Sequence, residues 1–268
     1  MHDRLETMVE QYRRTRAEFR FLDSNLWLGR PRNPEFASGF DIEALQGRLV
    51  RYGIAGGLVS HFAALTYGAE WANERLLADL KGTNLWAAVT LVPEMFQPPD
   101  AGRAYLKEVI ARGARAVRVF PVTHNFTLRG WCSGALLDAV AEARLPLIVW
   151  HTEVSWEEIR SLCESYPALP VIVEGTPKKI IYHSRLYYAL LERCPNLRLE
   201  LHNLVNYLGV EDIAARFGAN RLVFGSYMPV YDPNTSLMQV THARLTPDEK
   251  ARIAGGNLTE IAAGVRSL

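Results

Sequence analysis

The chain has little cysteine, no long apolar run and almost no net charge, and each shortage closes off a class of protein. Cys132, Cys163 and Cys194 are odd in number, far apart and never in a Cys-x-x-Cys spacing. A disulfide framework is therefore not expected, and a reducing cytoplasm suits the composition better. Cys163 and Cys194 fall on the apolar faces of predicted helices and read as buried thiols. No run approaches the roughly 18 apolar residues that a membrane helix needs. The opening Met-His-Asp-Arg-Leu-Glu carries no apolar signal core, which again points to the cytoplasm. A net charge of +1 gives no global field toward nucleic acid or anionic lipid, so neither is expected as a partner. The basic cluster Arg13, Arg14 and Arg16 is interleaved with Glu10 and Glu18 and reads as the solvated face of a helix. No strand is followed by Gly-x-Gly-x-x-Gly, which argues against a dinucleotide site.

The chain does carry a regular alternation. Residues 2–18 hold Leu5, Met8, Val9 and Tyr12 at helical spacing, which predicts an amphipathic helix packed on the main body. Apolar, turn-bounded runs then predict strands at 19–28, 55–60, 85–92, 114–120, 145–150, 170–174, 197–202 and 221–226. Pro31, Pro34 and Gly39 mark a loop after the first. Helices are predicted between the strands: 42–52 after the cap Asp41, from 73 to 80, from 98 to 111, from Ser133 to 143, and 155–166 with a Ser155/Glu158 capping box. Further helices follow over 184–194 and 211–217. Thr246-Pro-Asp-Glu249 opens another, Gly255-Gly256-Asn257 breaks it, and 258–263 forms a closing helical turn or two.

Strands separated by helices imply a parallel sheet. Eight such units in roughly 250 residues fit an α/β fold of the (β/α)8 TIM-barrel type better than an open doubly wound sheet. The expected organisation is one domain, with an N-terminal helix at 1–18 on a barrel spanning 19–268. In such a barrel the site lies at the C-terminal ends of the strands. Those ends hold Asn25 and Trp27, His61, Arg118, His151, Glu174, His202, and Ser226 with Tyr227; His124 follows the fourth strand. Residues two apart on a strand share a face, so Asp23, Asn25 and Trp27 are expected to point one way. That is a metal-binding spacing occupied by an amide and an indole, neither a normal zinc ligand.

The order of these signals resembles the amidohydrolase superfamily, in its amidohydrolase-related (amidohydrolase 2) branch of aminocarboxymuconate-semialdehyde decarboxylase-like proteins. Asp23-Ser-Asn25-Leu-Trp27-Leu-Gly29 stands where that family has Asp-x-His-x-His-x-Gly. Leu147-Ile-Val-Trp-His151 resembles its fifth-strand histidine segment, and Val171-Ile-Val-Glu174-Gly175 stands at its sixth-strand His-x-Gly. Arg221-Leu-Val-Phe-Gly-Ser226-Tyr227-Met-Pro229 resembles the eighth-strand segment ending Gly-Ser-Asp-x-Pro, and Gly256-Asn257-Leu258 resembles the terminal Gly-Asn-Ala. The resemblance implies a divalent metal held by two first-strand histidines, a fifth-strand histidine and an eighth-strand aspartate. Here those positions read Asn25, Trp27, His151 and Tyr227, and a catalytic zinc normally needs three protein ligands. No metal and no other cofactor are expected.

Three readings follow. The first is a metal-independent hydrolase of a lactone, ester or amide, or a decarboxylase of a small carboxylated substrate. His151 serves as acid/base, Glu174 orients it or acts as base, and Tyr227 donates to a carbonyl oxygen. Arg118 and His124 hold a carboxylate, while Asn25, Trp27, His61, His202 and Ser226 line the site. Residue by residue, Arg118 also reads as an ion-pair partner of Glu174, and Tyr227 as packing. The second reading is a non-catalytic member that binds a small molecule or serves in an assembly. The third is a metal-dependent hydrolase with an unconventional site built from Glu174, His151, His202 and His61. From the resemblance alone, a homo-oligomer is expected.

Overall fold

The computed structural model describes residues 2–31, 40–176 and 178–268, with the side chains of His2 and Asp3 left aside. Pro34 and Gly39 of the first predicted loop lie outside the described residues.

Eight parallel strands follow one another around a barrel in sequence order. They are β1 (Phe21–Leu28), β2 (Ile54–His61), β3 (Trp86–Thr90), β4 (Ala114–Val119), β5 (Leu147–Trp150), β6 (Val171–Glu174), β7 (Leu197–Glu200) and β8 (Leu222–Val223). The ring closes between the ends: the Ser24 N–H donates to the Phe224 carbonyl at 3.0 Å and the Trp27 N–H to the Met228 carbonyl at 2.9 Å. Helices alternate with the strands: α1 (His2–Glu18), α2 (Ile42–Tyr52), α3 (Ala69–Asp79), α4 (Pro99–Ala111), α5 (Gly130–Glu142), α6 (Trp156–Ser165), α7 (Ser184–Arg193) and α8 (Gly209–Phe217). After β8 come α9 (Asn234–Thr241), α10 (Pro247–Ala251) and α11 (Asn257–Ala263). The (β/α)8 expectation is met.

Local signals explain most boundaries. The Asp41 carboxylate accepts the Ala44 N–H, and Gly53, left-handed at φ 66, ends α2 because no Cβ obstructs that conformation. Ser155/Glu158 and Thr246/Glu249 both form full capping boxes. Three expectations are corrected and one helix is added. Ser133 does not cap: α5 begins at Gly130, and the buried Ser133 hydroxyl donates to the Thr127 carbonyl at 2.6 Å. The third helix starts at Ala69 rather than 73, because Asn73 is bound on both sides to Thr90 of β3 and sits mid-helix. Gly255-Gly256 does not break the last helix. A π turn over Arg252–Gly256 runs into α11, and a Cβ on Gly255 would lie 2.4 Å from the Arg20 carbonyl, so glycine serves close packing there. Helix α9 was not anticipated, although Asp232-Pro-Asn is a start signal and the Asp232 carboxylate accepts the Asn234 N–H.

Two apolar layers hold the barrel. The outer one fills the space between strands and helices. The inner one is a floor of Leu22, Leu58, Ala88, Ala116, Ile148, Ile172 and Val223, closed below by Leu258 and Ile261 of α11. Side chains alternate along a strand, so the residues two further on also face inward. On β2, β4, β5, β6 and β7 these are Ser60, Arg118, Trp150, Glu174 and Glu200. Polar groups thus sit directly above the apolar floor.

Helix α1 meets the body through Tyr12, whose hydroxyl bonds the Asn234 side chain and whose ring stacks on His242. Leu5, Met8 and Val9 remain 61, 43 and 40% exposed.

Candidate active site

Strand β1 is irregular between Asp23 and Leu26, where its register with β2 shifts. A Cβ on the facing Gly57 would sit 1.9 Å from the Asp23 carbonyl, so only glycine permits this approach. The irregularity leaves Leu26 and Leu28 in the outer core and turns Asp23, Asn25 and Trp27 inward. The Asp23 carboxylate accepts the Asn25 and Ser226 N–H groups at 2.9 and 3.0 Å, tying β1 to the segment after β8. The Asn25 carbonyl accepts the Trp27 indole N–H at 2.7 Å. Trp27 stacks on Phe62 at 4.5 Å and covers the Arg118 guanidinium at 4.9 Å, a favourable cation–π position. With Phe120, Trp150 and Tyr227 these rings form one buried aromatic layer across the barrel.

Beneath it lies an ion pair. Both Glu174 oxygens accept from the Arg118 guanidinium, and one also accepts the Trp150 indole N–H at 3.1 Å. Arg118 spends its remaining donors on Ser60 Oγ at 3.0 Å and the Ser24 carbonyl at 3.4 Å. Both side chains are fully buried. Arg118, predicted to hold a carboxylate, holds that of Glu174, as its alternative reading had it.

Sequence reasoning passed over Glu200. It is fully buried, one Oε accepts the His202 N–H at 2.8 Å, and the other has no protein partner. A Cβ on Gly225 would come within 2.1 Å of this carboxyl. The signal was available: Leu199-Glu200-Leu201 places Glu200 at the inward position of β7, level with Glu174 on β6. Asp23, Glu174 and Glu200 are thus three fully buried carboxyls, of which Glu174 is paired with Arg118. Burial, with Glu174 and Asp23 adding to it, pushes Glu200 well above the usual carboxylate range. Burial likewise pushes Asp23 up to about 6, against the pull of its Ser226 and Asn25 hydrogen bonds. For Glu174, burial pushes up while Arg118 pulls back. Three donors meet Glu174 and one meets Glu200, so Glu200 is the more easily protonated of the two.

The histidines occupy the rim. His151 Nδ1 lies 3.2 Å from the Glu174 carbonyl; a carbonyl can only accept, so Nδ1 carries the proton and Nε2 presents a lone pair. That Nε2 is buried without a protein partner. His183 lies 5.2 Å away, ring to ring. Burial, with His183 and Lys178 contributing, moves His151 below the usual histidine range. His202 packs against Tyr227 and Tyr231 at 5.4 and 4.7 Å, its Nε2 is also unpartnered, and burial lowers it to about 4. Tyr227 is left-handed at φ 57, and burial raises its phenol. Ser226 Oγ accepts the Met228 N–H at 3.2 Å. The remaining two predicted histidines serve loops: His61 Nδ1 accepts the Ala63 N–H at 3.1 Å, and His124 Nε2 bonds the Ala64 carbonyl at 2.8 Å.

A family model described as Amidohydrolase matches residues 27–259. The chain belongs to the amidohydrolase family. Solved structures agree on the fold. An uncharacterised TIM-barrel protein from Bordetella bronchiseptica superposes with a TM-score of 0.69 at 17% identity, covering 92% of this chain and 99% of its own. A dihydroxybenzoic acid decarboxylase from Polaromonas sp. JS666, solved with manganese and the inhibitor 2-nitroresorcinol, gives 0.67 at 14%, covering 91 and 97%. An amidohydrolase from Burkholderia multivorans with bound zinc gives 0.67 at 16%, covering 91 and 99%. The comparison with curated proteins found no match.

The amidohydrolase metal is thus the group to test against these residues. Asn25 is committed to Trp27, Trp27 is a fully buried stacked ring, and Tyr227 packs into the same layer. Of the four positions where the family holds its metal, only His151, through Nε2, offers a donor of the usual kind. Among the described residues no three His, Cys, Asp or Glu side chains are grouped to hold an ion. The donor set does not fit a divalent metal. The same residues show no described helix long and apolar enough to cross a membrane.

Proposed function

We propose that this amidohydrolase-family barrel handles a small organic molecule without a metal ion, with His151 as general base. The observation that carries the reading is the His151 ring itself. Its Nδ1 proton is anchored on the Glu174 carbonyl, and its Nε2 lone pair is buried with no partner from the protein. Buried polar atoms are normally paired, so an orphaned imidazole nitrogen beside an aromatic layer suits a substrate or an activated water. Burial keeps the ring neutral near pH 7, the state a base requires. Neutral His202, also with a free Nε2, supplies a second imidazole on the rim, and Tyr227 lies between it and the Trp27–Trp150 rings. This set supports hydrolysis of a lactone, ester or amide, or decarboxylation of a small acid, by proton transfer alone.

Glu174 takes a supporting part, since both its oxygens are already engaged. It fixes the Nδ1 tautomer through its main-chain carbonyl and balances Arg118 through its side chain. Expected results are turnover in a screen of lactones, esters and small acids that survives chelation. His151→Gln should reduce it by at least ~10²-fold with the fold intact. Stoichiometric zinc or manganese in purified protein, or undiminished turnover in His151→Gln, overturns the proposal. A second reading, a binding module without turnover, is favoured by the sealing of the ion pair under the aromatic layer. It predicts a ligand that raises the melting temperature and is not consumed.

A further inference from the structure

The chain leaves β5 at Trp150, whose ring enters the aromatic layer. His151, the next residue, packs with a different pair of rings: Trp156, the first residue of α6, at 6.4 Å, and His183, just ahead of α7, at 5.2 Å. What each imidazole meets fixes its tautomer. The Trp156 indole can only donate, and it donates to His183 Nδ1 at 3.1 Å. The neutral His183 ring therefore carries its proton on Nε2. His151 is the reverse: its Nδ1 proton is held by the Glu174 carbonyl and its Nε2 bears a lone pair. That Nε2 is buried without a partner, and the half-buried His183 ring makes no second hydrogen bond among the described residues. Two neighbouring imidazoles thus hold one free acceptor and one free donor.

We infer that His183 is the second half of a hydrolytic pair: His151 is the base toward water, and the His183 Nε2–H binds the carbonyl oxygen of a lactone, ester or amide. The inference rests on the general-base reading of His151 and chooses between the two reactions which that reading leaves open. Adding water to a carbonyl needs an acceptor for the water proton and a donor for the charge that develops on oxygen, and the two rings supply one of each. Loss of CO₂ instead needs a proton at the carbon that keeps the electron pair, and the lone pair on His151 Nε2 does not supply one. In the addition, the water oxygen bonds to the acyl carbon, its proton passes to His151 Nε2, and the carbonyl π pair moves onto the oxygen held by His183. As that pair returns, the bond to the leaving oxygen or nitrogen breaks, and the leaving atom takes the proton from His151. His183 keeps its own proton throughout. Trp156 is the positioning residue, holding His183 in the working tautomer as a carboxylate does for a triad histidine.

Histidine-ring ¹⁵N–¹H correlation spectra of the full chain at about pH 8.5, well above the ordinary imidazole range, read both tautomers without any substrate. The expected result is His183 protonated on Nε2 and His151 on Nδ1, with Trp156→Phe moving His183 toward a mixture. Removing one oxyanion donor costs about 10²–10³ in kcat. On a panel of lactones, esters and amides, His183→Phe should therefore lower kcat at least ~10²-fold, with a smaller change in KM and unchanged circular dichroism. His183→Gln, whose amide can still donate, should recover part of the loss. A wild-type His183 protonated on Nδ1 overturns the inference. So does full turnover in His183→Phe where His151→Gln is inactive, and so does a His151-dependent decarboxylase that hydrolyses none of the panel; both leave His151 as the base. Full turnover in both variants removes the general-base reading along with the inference.

Discussion

Glu174 and Glu200 are the same residue at the same height on neighbouring strands, both fully buried, and they meet opposite surroundings. Glu174 meets a guanidinium and an indole N–H. Glu200 meets one main-chain N–H and the bare Cα of Gly225. A buried carboxylate is tolerated only when donors replace its lost hydration, so Glu174 is the better-held anion and Glu200 the more easily protonated of the two. Position on the barrel sets the burial; partners set the charge. The comparison also locates the positive charge at the centre of the barrel, a guanidinium built into β4 and paired with Glu174.

The largest expected effect comes from breaking the satisfied half. Glu174→Gln leaves Arg118 charged and buried, with only neutral partners and the two carboxyls of Asp23 and Glu200 nearby. Removing one member of a buried pair costs about 3–5 kcal/mol, read as a lowered denaturant midpoint at pH 7. A loss under about 1 kcal/mol would mean that Arg118 takes Asp23 or Glu200 as a substitute partner, and that the two glutamates are interchangeable after all.

A smaller effect, visible only by subtraction, comes from pH. Asp23 titrates near 3.8 when unfolded and about 6 when folded. The folded chain holds this proton more tightly, so its contribution is present below pH 3.8 and is lost as pH rises through 6, on the order of 3 kcal/mol. His202 is the reverse, 6.5 when unfolded and about 4 when folded. Its neutral ring contributes above pH 6.5, and that contribution is lost as pH falls through 4, again on the order of 3 kcal/mol. The two windows overlap with opposite slopes, so these groups nearly cancel between pH 4 and 6.5. His202→Gln should uncover a stability that falls with rising pH, and Asp23→Asn one that rises. Equal slopes in both variants would refute the opposition.

The barrel was legible because its signals are periodic and local. Asp41, Gly53, Ser155 and Thr246 act within their own helix ends, and the eight apolar runs repeat whatever lies around them. The site was legible as a set of strand ends and less so as a set of bonds. Nothing in Asp23-Ser-Asn25-Leu-Trp27 announces that Asn25 will hold the Trp27 indole, because that contact depends on the irregularity opposite Gly57. Glu200 was missed for another reason: it precedes His202, the more conspicuous strand-end residue, and its role depends on Gly225, which follows β8. Ser133 looked like a cap because a serine before an apolar run usually is one; the Thr127 carbonyl won its hydroxyl instead.

The smallest expected effect is the sharpest test of the comparison. If Glu200 is already a neutral acid at pH 7, replacing it with glutamine changes little. The glutamine carbonyl still accepts the His202 N–H, and the amide N–H₂ stands where the carboxylic O–H stood. Glu200→Gln should therefore alter stability by less than about 1 kcal/mol at pH 7, since the isosteric exchange keeps the one hydrogen bond this side chain makes and removes no charge from a neutral acid. The same change at Glu174 strands a cation. The pH dependence separates the cases further. A raised carboxyl contributes stability below its unfolded pKa that is lost as pH rises through its folded one. Glutamine does not titrate, so the variant should gain on the wild type as pH rises through the raised pKa of the folded carboxyl. A large loss in Glu200→Gln at pH 7, comparable to that of Glu174→Gln, would show that Glu200 is ionised and paired with Arg118 as well, and that one guanidinium serves both strands.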